Sequence, residues 1–517
     1  MASTVVVGLD GAGFDLVERW MADGTLPNLA ELRSGGAAME LSSWPPPVTC
    51  PNWQCYATGT NPGKLGVFWW ERVDREGEQL LSTAGSEHFD GVHYWTQFDD
   101  RVAVVNLPTS YPPPVVDGIH VAGGPGAEGS GYTTPRSLER ELESEYGYRV
   151  HPPGLGTLDS DSPESDCVDA IYELIDTRFA VVEDLLDAGE YGFVHLTVFY
   201  INVLQHFFWD HEVVKRAWKR IDDHLGTLLD RDDVGHLFVM SDHGSNAIET
   251  RFNVNQWLVD EGYLVTETGV SDALHRLGLT QRRLRSVLSR LRIERAARRL
   301  VPRRIQTLLP RADGTVFEQG KSDVIDWEES RAVASGQGPL WVLSTEPAER
   351  ARVREELRQR LDGLSTPAGR EVIASADPAA DVYHGPHVER GPDLVLRQAP
   401  GVHIDDRLGS GEVFARPTDW RAENTETGLC IAYGPSVDPS AAIQNVRITD
   451  IAPTVTHLRG YPVPENFDGA VRTELFAAGS EPADRPVESR PPLTGEAGRS
   501  GTADERTKQR LDDLGYL

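Results

Sequence analysis

The sequence predicts an α/β protein with a doubly wound, mostly parallel sheet, helices on both faces of that sheet, and an additional arginine-rich helical insertion. Two observations predict the sheet: short runs of about four to eight apolar residues, and segments with helical apolar spacing between them. The runs are continuously apolar, as in strands that helices bury on both faces. A chain of 517 residues buries enough surface in such a core to fold without disulfides.

The first strand is predicted at TVVVGLD, and LVERWMADGTLPNLAELRSGG follows it with helical spacing and glycine stops. The same succession returns at RVAVVNLP, at FVHLTVFYI followed by VKRAWKRIDDHLGTLLD, and at GHLFVMSDHG. Ligands of such sheets gather at the carboxyl ends of the strands. The polar residues at or just beyond these ends are Asp10, Asn202, His206, Asp242 and His243.

The composition changes between Arg276 and Arg311, where twelve arginines accompany one acid, Glu294. This segment carries a charge of +11 and the rest of the chain −41. Its pattern is typical of amphipathic helices with an arginine-rich face, which either pair with the acidic remainder or bind a polyanion or an anionic membrane face. The predicted organisation is a first core part at 1–267, the insertion at 268–325, a second core part at 326–477, a flexible linker at 478–503 and a C-terminal docking helix at 504–517.

Acidic residues number 80 against 50 basic ones, and only five of the basic residues are lysines. An acidic, lysine-poor surface suits a cytoplasm with molar salt, where screening removes the self-repulsion. We therefore expect a salt-adapted, halophilic protein, with an ordinary acidic enzyme as the alternative. A nucleic-acid polymer is not expected as partner, because phosphate binding requires a basic face.

The four cysteines lack both a disulfide framework and a paired zinc signature. The N-terminus has no basic region before its short apolar run, so we predict no signal peptide. No apolar stretch is long enough for a transmembrane segment. The expected location is the cytoplasm.

Asp242 and His243 follow one apolar strand, and Asp10 occupies the equivalent place after the first. Carboxylate oxygen together with imidazole nitrogen is a ligand set suited to zinc or manganese. The alternative for Asp10 is a helix cap or turn former. The three residues together favour a metal site.

Thr49 stands after three prolines and just before an expected helix start. A hydroxyl at this place is close to the backbone N–H groups and the positive end of the helix dipole, which favour an anion and lower the pKa of the alcohol. The alternative is that Thr49 is only the N-cap of the helix.

The sequence resembles the alkaline phosphatase superfamily, and within it the type I phosphodiesterase/nucleotide pyrophosphatase branch. The motifs that carry the resemblance are, in order, GLDG, VTCPNWQCYATGTNPGKLGVF, QHFFW, SDHG, ITDIAPTVTHLRGYPVPENFDG and the terminal RLDDLGYL. The resemblance runs from about Val5 to Pro464 and is interrupted mainly by the arginine-rich segment. It implies an alkaline phosphatase-like core with two metal ions, usually zinc, on either side of the transferred phosphoryl group.

The resemblance also implies roles for individual residues. The metal on the nucleophile side would be held by Asp10, Thr49, Asp242 and His243. Thr49 would attack phosphorus and form a phospho-threonine. Asn52 would donate a hydrogen bond to a non-bridging oxygen of the phosphoryl group.

The second metal site departs from the family pattern. The expected Asp four residues before His206 is Asn202, and the expected His four residues before the strand GLCIAYG is Asn424. Amide oxygens are neutral and weaker zinc ligands. We therefore expect the second site to be empty, to hold a harder ion such as Mg²⁺ or Mn²⁺ weakly, or to be rebuilt from other residues. The candidates for rebuilding it are His211, His384, His387 and His403.

These observations predict a metal-dependent phosphodiesterase or phosphatase that acts through Thr49 on a small phosphorylated or other anionic ester. Two alternatives follow from Asn202 and Asn424. The first is a phospho- or sulfo-transfer enzyme with suppressed hydrolysis. The second is a non-catalytic relative that keeps the anion pocket.

Overall fold

The computed structural model describes residues 2–266, 322, 324–494 and 505–514, apart from the single positions 78, 84, 409, 410 and 419. The predicted arginine-rich insertion, 268–325, lies outside the described residues except for 322, 324 and 325. The α-helices are α1 (Phe14–Ala22), α2 (Pro27–Gly35), α3 (Thr49–Thr58), α4 (Pro62–Leu65), α5 (Ser137–Tyr146), α6 (Asp166–Ala188), α7 (Tyr200–Phe208), α8 (Glu212–Leu229), α9 (Val254–Asp260), α10 (Pro347–Leu361), α11 (Ala379–Val382), α12 (Ile451–Leu458), α13 (Glu481–Asp484) and α14 (Glu505–Leu514).

The strands alternate with these helices through most of the described chain. They are β1 (Ser3–Leu9), β2 (Ala37–Ser42), β3 (Glu71–Asp74), β4 (Gln79–Ser82), β5 (Arg101–Pro108), β6 (Gly118–Gly123), β7 (Thr133–Thr134), β8 (Tyr191–Val198), β9 (Val234–Met240), β10 (Gly244–Ala247), β11 (Thr250–Asn253), β12 (Ala332–Ala334), β13 (Pro339–Val342), β14 (Ile373–Pro378), β15 (Leu394–Gln398), β16 (Val402–Asp405), β17 (Phe414–Ala415), β18 (Ala422–Thr425), β19 (Thr427–Tyr433), β20 (Val446–Arg447), β21 (Val463–Pro464) and β22 (Ser489–Arg490).

Nine of the described strands form the central sheet, in the order β20-β2-β19-β9-β1-β8-β5-β6-β7. The five strands from β9 to β6 are mutually parallel, whereas β19 and β7 run antiparallel to their neighbours. The α/β class with a mostly parallel sheet is therefore confirmed. One apolar run is divided differently from the prediction: β8 ends at Val198, and Phe199 already has helical φ and ψ of −68° and −43°, so the end of FVHLTVFYI belongs to α7.

β1 lies at the centre of the sheet, between β8 and β9. From β1 the chain runs to β2, on the β9 side of the sheet, and from β8 it crosses β1 to reach β9. The loops after β1, β8 and β9 open at one edge of the sheet because the three strands are parallel. Helices cover the sheet in two groups: α2, α6, α7 and α8 pack together, and α3 packs against α12.

Apart from β19 and β20, the strands of the second core part form smaller sheets outside the central one, and two of these strands, β16 and β17, pair with β11 of the first core part. The described residues form a four-stranded sheet, β12-β13-β15-β14, and a three-stranded sheet, β16-β11-β17. β18 pairs antiparallel with β10, the strand that directly follows β9 and its loop. On either side of the inserted segment, Thr266 and Ile325 form an antiparallel bridge.

The first part of the predicted flexible linker, 478–503, has regular structure that packs on the core. This part contains α13 and β22, and β22 pairs with β21. The carbonyl of Pro482 accepts a hydrogen bond of 2.8 Å from His457 Nε2, which ties this part to α12. Residues 495–503 lie outside the described part of the chain.

The C-terminal helix α14 packs on the core through Leu511 and Leu514, both of which are buried. Residues 515–517 of the predicted docking helix lie outside the described residues. All four cysteines are buried and free, as expected from their spacing. Within the described residues, no helix has the length and apolar character needed to cross a membrane.

His224 of α8 connects α8 to α6. Its Nδ1 lies 3.0 Å from Glu183 and its Nε2 lies 3.3 Å from Asp176, and its ring stacks on Phe179. Burial lowers the pKa of His224, but the hydrogen bonds to Asp176 and Glu183 outweigh this effect and raise the pKa above its ordinary value. The folded chain therefore stabilises the protonated form of His224 more than the unfolded chain does.

We expect His224→Gln to lower the free energy of unfolding by about 1 kcal/mol or less near pH 6, because the carboxylates are partly exposed. The loss should shrink toward about pH 9, since the stabilisation by a raised pKa disappears as the pH rises through that pKa. Urea denaturation at both pH values, with Thr227→Ala on the same helix as control, measures the difference. An equal loss at both pH values would assign the effect to packing on Phe179.

Candidate active site

Asp10 directly follows β1, is fully buried, and accepts hydrogen bonds from three side chains. Thr49 Oγ1 lies 3.2 Å from Oδ1 and Trp53 Nε1 lies 2.7 Å from Oδ2. Asn202 also hydrogen-bonds the carboxylate. The next residue, Gly11, has a φ of +68°, and a Cβ there would lie 2.2 Å from Asn202 Oδ1, so this turn requires glycine. The turn thus places the carboxylate between α3 and α7.

Asp242 and His243 lie in the loop between β9 and β10, and both are buried. Asp242 Oδ1 accepts a 3.2 Å hydrogen bond from Gly11 N–H, and its Oδ2 lies 3.4 Å from His243 Nε2. His243 Nε2 also lies 3.7 Å from Asp10 Oδ1. His243 Nδ1 is 2.9 Å from the carbonyl of Gly244, which only accepts, so Nδ1 carries the proton. The lone pair of Nε2 therefore faces two carboxylates.

Burial is the largest cause of the pKa shifts of Asp10, Asp242 and His243. It raises the pKa of Asp10 to about 7, although the hydrogen bonds from Trp53 and Thr49 lower it. Burial and then the charge of Asp10 raise the pKa of Asp242 well above its ordinary value. Burial lowers the pKa of His243 to about 3, so the imidazole is neutral at ordinary pH. Among the described residues no lysine or arginine lies within ion-pair distance of the two carboxylates, and the neutral His243 supplies no positive charge to them.

The geometry of these three residues fits a divalent cation. Their ligand atoms all lie within 4.8 Å of one another. Asp242 Oδ2 and His243 Nε2 are buried and have no hydrogen-bond partner among the described residues. Ligands of a tetrahedral zinc ion are separated by about 3.3–3.5 Å, which is close to the 3.4 and 3.7 Å distances around His243.

Thr49, expected just before a helix start, is the first residue of α3, in which Cys50 interrupts the helical geometry with φ of −104° and ψ of 111°. Thr49 is not the N-cap. Val48 occupies the cap position with extended φ and ψ, and no side-chain cap bond is present at this helix start. The Thr49 hydroxyl donates its hydrogen bond to Asp10 instead. This removes the N-cap alternative and places the hydroxyl against the acidic cluster.

Asn52 has a different surrounding from the one that the family resemblance implies. Its Oδ1 accepts from the N–H of Trp44 at 2.8 Å, and its Nδ2 lies within 3.2 Å of the carbonyls of Trp44, Pro46 and Val48. These backbone groups already occupy the amide donors, so the arrangement does not support a contact to the phosphoryl group. Asn52 instead fixes the proline-rich loop that presents Thr49.

His206 and Asn202 project from α7 beside the first cluster. His206 Nδ1 donates to the carbonyl of Ala422 at 2.9 Å, so Nε2 carries the lone pair. Burial lowers the pKa of His206 to about 4, which keeps the ring neutral. The ring stacks on Trp420 with a centroid distance of 3.9 Å and an interplanar angle of 6°.

Asn424 reaches the same region from β18. It pairs with Ser245 of β10, whose hydroxyl donates to the Gly11 carbonyl at 2.8 Å. Opposite residues of an antiparallel pair point to the same face, so Asn424 lies on the side of Gly11 and Asp10. Both polar atoms of its buried side chain have no hydrogen-bond partner among the described residues. Asn202 and Asn424 therefore both lie on the side of Gly11, His206 lies on the same helix as Asn202, and none of the three carries a negative charge.

Glu423, next to Asn424, is a buried carboxylate that the sequence did not indicate. It accepts hydrogen bonds from Gln337 Nε2 and from the backbone N–H of Asn424, and it contacts His403 Nδ1. Gln337 lies between β12 and β13 and His403 lies on β16, so no local pattern reveals that these partners meet Glu423. Trp53 was also missed, although it stands four residues after Thr49, the spacing at which helix side chains share a face.

Of the four histidines considered for the second metal, only His403 lies near it, with its ring 5.2 Å from Trp420. His211 caps α8 by accepting from the N–H of Val213. His384 contacts Asp468, and His387 contacts Asp90. These last three residues have other partners and do not replace Asn202 or Asn424.

A family model described as type I phosphodiesterase/nucleotide pyrophosphatase matches residues 4–421. The match covers most of the chain, including β1, Thr49 and the loop after β9. No curated protein matches the sequence.

Two solved structures of similar fold are phosphonoacetate hydrolase from Sinorhizobium meliloti 1021, in complex with phosphonoformate and with phosphonoacetate. The first has a TM-score of 0.57 at 13% sequence identity, and the second has 0.52 at 12%. Each alignment covers 87% of this chain and 94% of that one. At these identities the likeness shows the fold alone, which is the predicted alkaline phosphatase-like core.

We expect Trp53→Phe to weaken divalent metal binding by about 10–100-fold, the usual cost of removing a partner that orients a metal ligand. The change removes the indole N–H from Asp10 Oδ2, so the pKa of Asp10 should rise further and protons should compete better with the metal. Titration calorimetry with zinc at neutral pH measures the affinity.

Trp95→Phe is the matched control, because Trp95 is equally buried in the same aromatic cluster and its Nε1 has no hydrogen-bond partner among the described residues. Equal affinities of the two variants would show that Trp53 supports Asp10 only by packing.

Proposed function

Because the chain belongs to the type I phosphodiesterase/nucleotide pyrophosphatase family, a family of phosphoester hydrolases, we propose that it hydrolyses a small anionic phosphoester with Thr49 as nucleophile and with a divalent metal. The observation that carries this proposal is the position of the Thr49 hydroxyl. It lies at the start of α3 and 3.2 Å from the carboxylate of a buried acid–imidazole cluster.

Asp10 prepares Thr49 for attack. The Thr49 O–H points its proton at Asp10 Oδ1, so its lone pairs are available to phosphorus. A divalent metal held by Asp10, Asp242 and His243 would lower the pKa of this hydroxyl and neutralise charge on the transferred group. Thr49 Oγ forms a bond to phosphorus as the bond from phosphorus to the ester oxygen breaks. The Thr49 proton passes by way of Asp10 Oδ1 to the ester oxygen, which leaves as an alcohol. Water then hydrolyses the phospho-threonine and restores the hydroxyl.

We assign zinc to this site, because two carboxylates and one imidazole make three protein ligands of the types zinc accepts and leave a fourth position for the reacting group, as in catalytic zinc sites. Asn202, His206 and Asn424 form the second half of the site, where Mg²⁺ or Mn²⁺ would bind weakly. Three ligands without negative charge do not offset a divalent cation in a buried place. The acidic, lysine-poor composition supports a halophilic, cytoplasmic enzyme.

The substrate class is supported by chemistry and by the neighbouring fold. A substrate of this site must bring its phosphorus atom within reach of the buried Thr49 hydroxyl. The two phosphonoacetate hydrolase structures were solved with small anionic phosphonates. Asn202 and Asn424 favour a second candidate: a transferase, for phosphoryl or sulfuryl groups, in which hydrolysis of the threonine ester is slow. A non-catalytic anion-binding protein is the third candidate, and the first experiment below tests it.

Thr49→Ala should lower hydrolysis of an activated aryl phosphodiester to below about one-thousandth of the unmodified rate, the scale on which nucleophile removal acts. Thr49→Ser should keep measurable activity, because the hydroxyl remains. Rates and thermal unfolding are measured together, and unchanged unfolding excludes misfolding. Mass spectrometry of quenched reactions should find phosphate on Thr49 in the unmodified chain and none in Thr49→Ala. A variant Thr49→Ala that keeps more than about a tenth of the activity would exclude Thr49 as nucleophile.

The purified protein should hold one tightly bound metal ion per chain, with any second ion exchangeable. Asn202→Asp with Asn424→His should raise the second occupancy, because the change adds one carboxylate and one imidazole. Elemental analysis after dialysis measures both. Asn246→Asp with Asn445→His, two exchanges of the same kind outside this ligand set, is the control. Two tightly bound ions in the unmodified protein would show that the amides do serve as ligands.

A further inference from the structure

The C-terminal helix α14 reaches the second half of the candidate site by two separate routes. The first runs through Trp420, whose Nε1 donates a 3.1 Å hydrogen bond to the carbonyl of Leu514, in the last turn of α14. The Trp420 ring also stacks on the ring of His206, with a centroid distance of 3.9 Å and an interplanar angle of 6°. One indole therefore joins the end of the chain to a side chain of the site.

The second route runs through Arg510. Its Nη1 donates to His151 Nε2 at 2.7 Å, and His151 Nδ1 lies 2.7 Å from the hydroxyl of Tyr200. Tyr200 is the first residue of α7, the helix that carries Asn202 and His206. Arg510 also donates to the carbonyl of Ala127. The two routes thus reach α7 at its first turn and near its end.

The anchors of α14 are buried. Leu511 is 0% and Leu514 1% exposed, and Trp420 is 8% exposed. Trp420 stands two residues before β18, and the backbone that follows it also contacts His206. Arg421 N–H donates to the His206 carbonyl, and the Ala422 carbonyl accepts from His206 Nδ1. His206 is therefore held on one face by an aromatic ring and at one edge by the backbone, and α14 supports that ring.

We propose that α14 is a positioning element of the active site: by holding Trp420 and Tyr200 it keeps His206 and α7 in the arrangement that turnover requires. Only the effect on turnover rests on the proposed function. The effect on α7 and β18 is a property of the fold and is measured without substrate. Trp420 and Arg510 are accordingly positioning residues, since Trp420 acts through His206 and Arg510 acts through His151 and Tyr200.

The test uses the full-length chain with Leu511→Asp, which introduces a charge at a fully buried anchor and should release α14. Gln509→Asp adds the same charge on the exposed side of α14 and is the matched control. Hydrogen exchange followed by mass spectrometry should become about tenfold faster in residues 200–208 and 420–425 of Leu511→Asp. Peptides from β1 and β8 should be unchanged, and so should every peptide of Gln509→Asp.

Activity provides the second readout. Leu511→Asp should lower kcat by about tenfold with a smaller change in KM, because the substrate's contacts at Asp10 and Thr49 remain. Trp420→Phe keeps a ring on His206 but loses the hydrogen bond to Leu514, so it should lower kcat alone and add little to Leu511→Asp, as expected for two changes on one route.

Unchanged exchange in both segments of Leu511→Asp would overturn the proposal, and so would additive effects of Leu511→Asp and Trp420→Phe. If Leu511→Asp unfolds the chain, Arg510→Ala and Trp420→Phe are measured by the same exchange experiment, and unchanged exchange in both would overturn it equally. Faster exchange in a protein that hydrolyses no phosphoester would leave the positioning role standing and refute the proposed function alone.

Discussion

Two carboxylates and a neutral imidazole lie together in the interior, at the ends of β1 and β9, and no cationic side chain of the described structure neutralises them. Buried charges of one sign are costly, and proteins keep them where a cation or a reacting group completes the arrangement. Much of the surrounding structure serves this arrangement. The parallel pairing of β1 with β9 brings the two strand ends together. Gly11 lets the chain turn after β1, and Trp53 and Asn202 hold the carboxylate of Asp10 in place.

The loop before α3 has a related role. Asn52 ties the backbone from Trp44 to Val48, and this rigid loop delivers Thr49 to Asp10. Held in this way, the proposed nucleophile would lose little conformational freedom in the transition state. The second half of the site is built differently, because its groups come from α7 and from β18 and depend on a strand pairing between distant parts of the chain.

The parts of the fold that could be predicted are those with local signals. Apolar strands that end in a polar residue revealed Asp10, Asp242 and His243, and the proline-rich approach to α3 revealed Thr49. The family resemblance added the position of Asn424 but not its surroundings. Glu423 and Trp420 could not be predicted as neighbours of the site, because their places depend on β18 and α14, which pack through contacts far apart in sequence. Asn52 shows the opposite limit: the sequence shows its place three residues after Thr49, but its hydrogen-bond partners can be seen only in three dimensions.

The bridge between Thr266 and Ile325 has a consequence for how this fold tolerates change. Thr266 and Ile325 are neighbours in the fold, so the two core parts are joined at this point whatever the length of the segment between them. The entropy of closing a loop grows only slowly with its length, by about 0.6 kcal/mol for each doubling, and an antiparallel pair can be joined by as few as about two residues. Segments of very different length and charge can therefore be exchanged at this position while the register of the central sheet stays the same. It is a natural grafting point, where a new recognition surface can be added to an unaltered catalytic core.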